Sequence, residues 1–200
     1  MEGLYLGLVI VLAILAVSDL IVGVSNDAVN FLNSAVGSTA APIRLVLLIA
    51  SIGVLVGATF SSGLMEIARK GIFNPDQFYF NEVMIIFVAV MVTDVILLDI
   101  YNTFGLPTST TVSLIFELLG ASVAIALFKI AENEAFTIAN LGNYINTAKA
   151  LAIISGILIS IFIAFFVGTL IQYLSRLLFT FNHNKTIRYF GAIWGGLAIS

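Results

Sequence analysis

Charged side chains are scarce in this chain. Only 10% of its 200 residues are charged and 60% are hydrophobic, whereas an ordinary soluble domain carries about 25% charged residues. So few charges cannot cover so much apolar side chain in water, which argues against a soluble fold. The chain has no cysteine, and this excludes both disulfides and thiolate metal sites. It also has no basic cluster, so nucleic acid is not an expected partner.

The N-terminus lacks a basic segment followed by an apolar stretch and a small-residue cleavage site. We therefore expect no removable signal peptide, and the first apolar stretch stays in the mature protein.

Most of the sequence consists of apolar runs. One helical membrane span needs about 20 such residues, and most of these runs reach that length. They cover residues 3–24, 45–65, 83–104, 108–128, 150–175 and 189–200. The pattern predicts an all-α, polytopic transmembrane helical bundle in a cell membrane, the inner membrane if the source is bacterial. If every run crosses the membrane, Lys and Arg divide about equally between its two sides, so the orientation is not predicted. The last run is interrupted at Ser200, and we expect residues 1–200 to be a single transmembrane domain of a longer protein, with its last helix truncated.

Two polar segments differ from solvent loops because they carry almost no charge. Residues 25–43 hold one charged side chain, Asp27, and residues 102–113 hold none. Irregular backbone at membrane depth is tolerated only where protein buries it or a cavity hydrates it. We therefore expect broken or re-entrant helices here, with both segments buried near the bilayer midplane and close to each other.

The first polar segment contains a group of oxygen-bearing side chains. Asn26, Asp27 and Asn30 place one carboxylate and two amides within about one helical turn, and Asn26 and Asn30 share a helix face. One carboxylate with neutral oxygens suits a monovalent hard cation such as sodium, since divalent ions usually recruit more carboxylates. A helix end capped by Asn and Asp is the structural alternative. The residues alone leave both interpretations open.

The second polar segment pairs a helix break with a run of hydroxyl groups. Gly105 and Pro107 interrupt the preceding helix, and Ser109, Thr110 and Thr111 open the next. A helix N-terminus presents free N–H groups and a partial positive charge, which makes it a ready anion site. A cap whose hydroxyls bond to their own backbone is the structural alternative.

Four acidic residues lie within or beside the apolar runs: Asp19, Asp94, Asp99 and Glu117. Ionisable residues inside a membrane are costly and mark functional sites by default. Asp94 and Glu117 are the candidates for such a buried acid site, with structural pairing as the alternative. Asp99 is five residues from Asp94, so the two are not expected to share a helix face.

Both motifs resemble signatures of the inorganic phosphate transporter (PiT-type) family. Residues 24–30 resemble its Gly-Ala-Asn-Asp-Val-Ala-Asn signature, and residues 107–113 resemble its Pro-Val-Ser-Thr-Thr-His-Ser signature. Thr108 stands in place of Val, and Val112 in place of the titratable His. The resemblance covers roughly residues 5–130, and the two motifs occur in the family's order.

The resemblance implies a cation-coupled, alternating-access transporter of inorganic phosphate that is not an enzyme. Sodium is the implied coupling ion and the only implied cofactor, held by Asn26, Asp27 and Asn30. Phosphate would contact Asp27, Ser109, Thr110 and Thr111. The family has two inverted halves, so this chain would be the N-terminal repeat, with lipid and a second repeat of the same polypeptide as partners. A homodimer is left open.

Other functions were weighed against this interpretation. A transporter of another anion such as sulfate, or a proton-coupled phosphate symporter, would use similar motifs. An intramembrane protease is disfavoured, because the apolar runs contain no His or Lys, and no Gly-x-Gly-Asp pattern surrounds Asp94 or Asp99. A purely structural membrane subunit is the remaining alternative.

Overall fold

The computed structural model describes residues 2–61, 71–132 and 140–199, and their secondary structure is helical. The helices are α1 (Glu2–Gly37), α2 (Ile43–Phe60), α3 (Phe80–Phe104), α4 (Thr110–Glu132), α5 (Leu141–Tyr144), α6 (Thr147–Phe179) and α7 (His183–Ile199), with a 3₁₀ turn at Pro75–Gln77. The described ranges contain no strand, only an isolated bridge between Phe73 and Ile145.

Five of the helices in the described ranges are long and apolar enough to cross a membrane: α1, α2, α3, α4 and α6. This confirms the predicted all-α architecture with several spans. Residues 62–70 and 133–139, which include parts of the polar connections between the apolar runs, lie outside the described residues.

Helix α1 extends further than the sequence predicted. We expected irregular backbone over residues 25–43, but residues 25–37 continue the helix without interruption. The polar side chains are compatible with this helix, because hydroxyl groups can bond to its own carbonyls. Ser25 Oγ, for example, donates to the Ile21 carbonyl at 2.7 Å. The helix ends at Gly37, and Thr39 then adopts a positive φ of 51°.

The predicted break between α3 and α4 is confirmed, and local chemistry explains it. Gly105 has a left-handed backbone with φ of 66°, which a residue without Cβ adopts freely. Its N–H donates to the Asn102 carbonyl at 3.1 Å, and the Leu106 N–H donates to the Tyr101 carbonyl at 2.9 Å. These two bonds form a Schellman ending, which satisfies the last carbonyls of α3.

Three helices form the packed part of the first compact unit, Met1–Leu151, in which α1 packs against α3 and α3 against α4. The buried apolar side chains between them are Ile86, Val90 and Leu98 of α3 and Ile115, Leu118 and Ala126 of α4. Close van der Waals packing of this kind holds helices together in a membrane, where the hydrophobic effect does not drive their association because the surrounding lipid is itself apolar.

An ion pair and backbone bonds join the segments at one end of the same unit. Lys129, near the end of α4, lies 2.8 Å from Glu82 in the first turn of α3, and Glu82 also accepts the Tyr79 N–H at 2.6 Å. The Asn74 N–H donates to the Tyr144 carbonyl at 2.8 Å, just before the 3₁₀ turn at Pro75–Gln77.

The second compact unit, Ala152–Ser200, contains most of α6 and all of α7. Phe179 and Trp194 contact each other edge to face inside it, with ring centroids 6.0 Å apart. The apolar side chains of α6 are largely exposed, with Phe165 at 68% and Phe166 at 67%. Such a surface requires an apolar environment around it.

Candidate functional site

The two polar motifs lie against each other, as the sequence predicted. Thr110 Oγ1 donates to Asp27 Oδ2 at 3.1 Å, and Asn30 Nδ2 donates to the Thr108 carbonyl at 3.1 Å. The middle of α1 therefore faces the start of α4. How deep this contact lies in the bilayer stays a prediction.

Asn26 holds the break between α3 and α4 in place. Its side chain is 2% exposed, and its Nδ2 donates to Asn102 Oδ1 at 2.9 Å and to the Leu106 carbonyl at 3.3 Å. Its Oδ1 accepts the Thr108 N–H at 2.9 Å. Both amide protons are thus engaged, and one lone pair of Oδ1 is left for any other ligand.

The hydroxyl groups of the second motif divide into two kinds. The Thr110 hydroxyl is committed to Asp27. Ser109 and Thr111 are exposed, and within the described ranges their hydroxyls form no hydrogen bond, so they can donate to a ligand. The Ser109 carbonyl accepts the first i+4 bond of α4, from the Ser113 N–H at 3.0 Å. The N–H groups of the first turn of α4 therefore have no partner within the helix.

The oxygens predicted to bind sodium are only partly available. Asp27 Oδ2 accepts the Thr110 hydroxyl, and the Asn30 amide nitrogen donates to backbone. The second carboxylate oxygen of Asp27 and the amide oxygen of Asn30 form no hydrogen bond in the described part of the chain. The described residues hold no group of three His, Cys, Asp or Glu side chains able to bind a metal ion. Sodium at Asn26, Asp27 and Asn30 stays a prediction.

A second polar cluster joins three helices one turn further along α4. The Ser113 hydroxyl lies 2.9 Å from Asp94 Oδ1 and 2.7 Å from Glu117 Oε1, and Asp94 is 3% exposed. The carboxyl group of Asp19, on α1, interacts with that of Asp94. The structure thus brings together Asp94 and Glu117, the two predicted buried acids, and adds Asp19.

This acid cluster (Asp19, Asp94, Ser113 and Glu117) is not fully paired. Asp19 Oδ1 and Glu117 Oε2 are buried and have no hydrogen-bond partner within the described ranges. The one ion pair found among the described residues, between Lys129 and Glu82, lies elsewhere. A buried polar atom without a hydrogen-bond partner costs free energy. A bound proton, a water molecule or another polar group would remove this cost for the two oxygens.

A cavity of about 460 Å³ opens beside the break, on the face of α1 next to Asn26. Its polar lining comes from Ser25, Asn26, Asp99 and Asn102. Asp99 is exposed and Asp94 buried, so the two do not share a face, as their five-residue spacing predicted.

Sequence reasoning did not single out Asn102 or Ser113, which are ordinary polar residues near motif ends. It named Asp19 without connecting it to Asp94, because their proximity depends on how α1 packs against α3. The signal available for Ser113 was its i+4 spacing to Glu117, which places the two side chains on one helix face.

Comparison with known proteins identifies a family and several relatives. The model of the phosphate transporter family matches residues 23–196. A protein of Thermococcus kodakarensis named "Putative phosphate permease" is 38% identical over 108 residues, which cover 53% of this chain and 27% of that protein. One of Pyrococcus furiosus with the same description is 35% identical over 101 residues, covering 50% of this chain and 24% of the relative.

The matched stretch is therefore about a quarter of each relative's length. No solved structure matches the chain. The family match extends over most of the sequence and includes both motifs that meet at Asp27 and Thr110. The chain belongs to the phosphate transporter family, and the five long apolar helices in its described ranges indicate a multi-pass membrane protein.

Proposed function

We propose that this chain forms part of a sodium-coupled transporter of inorganic phosphate that works by alternating access. The observation that carries the proposal is the contact of Asp27 with Thr110, because it joins a carboxylate to the hydroxyl-rich start of a helix. The relatives' names, which describe phosphate permeases, support the substrate.

Phosphate would bind at the first turn of α4. Ser109 and Thr111 offer hydroxyls that the described residues leave unused, and the helix start supplies N–H groups and a partial positive charge. Dipoles of this kind bind an anion reversibly, as a transport site requires. No Lys or Arg lies in either motif.

Asp27 would distinguish phosphate from other tetrahedral anions. Phosphate carries one or two protons near neutral pH and can donate one to a carboxylate, whereas sulfate carries none. The same carboxylate, with Asn26 and Asn30, would attract sodium beside the anion. Sodium offsets the phosphate charge, and this electrostatic dependence would couple the two fluxes.

Uptake of radiolabelled phosphate into liposomes containing the full-length protein tests the proposal. We expect uptake with sodium outside and little with choline, and excess sulfate should not compete. Asp27→Asn should reduce uptake by at least tenfold, because an amide carries no negative charge for a cation. Asp76→Asn removes a carboxylate from the exposed 3₁₀ turn and serves as the matched control. Wild-type uptake and sodium dependence in Asp27→Asn would contradict the proposal.

A proton is the second candidate for the coupling ion, and the acid cluster favours it. The Ser113 hydroxyl has one proton, yet it lies within hydrogen-bonding distance of both Asp94 and Glu117. The second contact needs a proton on one of the carboxyl groups. The same liposomes decide between the ions: uptake driven by an inward proton gradient without sodium would favour the proton, and uptake that requires sodium at every pH would favour sodium.

A further inference from the structure

Asn102 joins two helices, α3 and α1, through one side chain. It lies in the last turn of α3, three residues before Gly105. Its Nδ2 donates to the Val22 carbonyl of α1 at 3.1 Å, and its Oδ1 accepts from Asn26 Nδ2 at 2.9 Å. The residue therefore fastens the end of α3 to α1 through both a donor and an acceptor.

The chain of hydrogen bonds continues from Asn26 into the break. Asn26 bonds the Leu106 carbonyl and the Thr108 N–H, which lie on either side of Pro107. The oxygen of Asn102 accepts one of the two amide protons of Asn26, at the shorter of the two distances, so it contributes to the orientation of this amide together with the contacts in the break. Asp27, which follows Asn26 on α1, accepts a hydrogen bond from the hydroxyl of Thr110, which is two residues after Thr108.

We propose that Asn102 is a positioning residue of the phosphate site. It sets the orientation of Asn26, and thereby the separation between Asp27 and the start of α4. This inference rests on the proposed function for its effect on phosphate, but its effect on geometry is independent of the substrate.

Only an amide satisfies both contacts of Asn102. Leucine has a similar size and offers neither hydrogen bond. Aspartate can accept from Asn26, but its second oxygen would face the Val22 carbonyl and repel it. Loss of either contact leaves an amide group of a part-buried pair without its partner, which costs free energy.

Phosphate kinetics in the full-length protein give the first test. Asn102→Leu and Asn102→Asp should raise the KM for phosphate about tenfold, with a smaller change in maximal rate per folded protein, because a displaced Asp27 weakens binding. Thr103→Ala, at the exposed neighbouring position, should leave KM unchanged and is the matched control. A fall in protein amount or maximal rate with an unchanged KM would show that Asn102 is merely structural.

A cross-link gives the second test, without phosphate. A Cβ at Gly23 would lie 3.7 Å from Thr110 Cγ2, so Gly23→Cys with Thr110→Cys should form a disulfide rapidly on mild oxidation. Adding Asn102→Leu should slow this at least fivefold, and adding Thr103→Ala should not. Equal rates in both backgrounds would overturn the inference. If the unsubstituted full-length protein takes up no phosphate, the proposed function is contradicted. The cross-linking rates still decide whether Asn102 positions α1 against α4.

Discussion

Single polar residues in this molecule gain their roles from partners on other helices. Asn26 was predicted as a cation ligand, and its amide is largely occupied in holding the break, through contacts 76 to 82 residues away in sequence. The sequence showed the residue type of Asn26 and predicted its helix face. It did not predict the partners of Asn26, because the position of α1 relative to α3 is determined by packing and not by local spacing.

Ser113 offers a stability prediction at the residue scale. Ser113→Ala removes the hydroxyl between Asp94 and Glu117, so both carboxyl groups lose the hydroxyl that lies within hydrogen-bonding distance of them. We expect unfolding in detergent to become easier by about 1–3 kcal/mol, the usual cost of leaving a buried acceptor unsatisfied.

Ser122→Ala is its control, because Ser122 is buried on α4 and bonds only the Leu119 carbonyl of its own helix, at 3.0 Å. Thermal unfolding followed by tryptophan fluorescence measures both variants. Similar melting temperatures for Ser113→Ala and Ser122→Ala would show that the acid cluster does not depend on its bridging hydroxyl.

At the scale of elements, helix ends were predictable where backbone chemistry determines them. Gly105 and Pro107 indicated the break after α3, and the structure has it there. The end of α1 was not predicted correctly, because a polar sequence was taken for irregular backbone. Asn, Asp and Ser weaken a helix only modestly, and their hydroxyl and amide groups find partners within or across helices.

The left-handed conformation of Gly105 leads to a prediction for the α3–α4 break. Gly105→Ala places a Cβ at φ of 66°, which should destabilise the fold by about 1–2 kcal/mol. Gly120→Ala, within α4, meets no atom within 4 Å and should be neutral or slightly stabilising. Melting temperatures of the two variants in one detergent provide the comparison. A Gly105→Ala protein as stable as Gly120→Ala would show that the break does not need this conformation.

At the scale of the whole molecule, composition was enough to predict the class of fold. Apolar runs of spanning length and few charges predicted several transmembrane helices, and the described ranges contain five helices that could cross a membrane. The meeting of the two motifs was predicted from their shared lack of charge and from the family resemblance. The acid cluster was predicted only as separate residues, because its assembly requires α1, α3 and α4 to pack in one particular register.

The account depends most on phosphate binding at the start of α4, and alkylation of single cysteines measures this directly. The 200 residues contain no native cysteine, so Ser109→Cys and Thr111→Cys can be made one at a time in the full-length protein, with Thr103→Cys as an exposed control. We predict that phosphate slows labelling at positions 109 and 111 in a saturable way, and leaves position 103 unchanged. Labelling at positions 109 and 111 that is the same with and without phosphate would contradict the account.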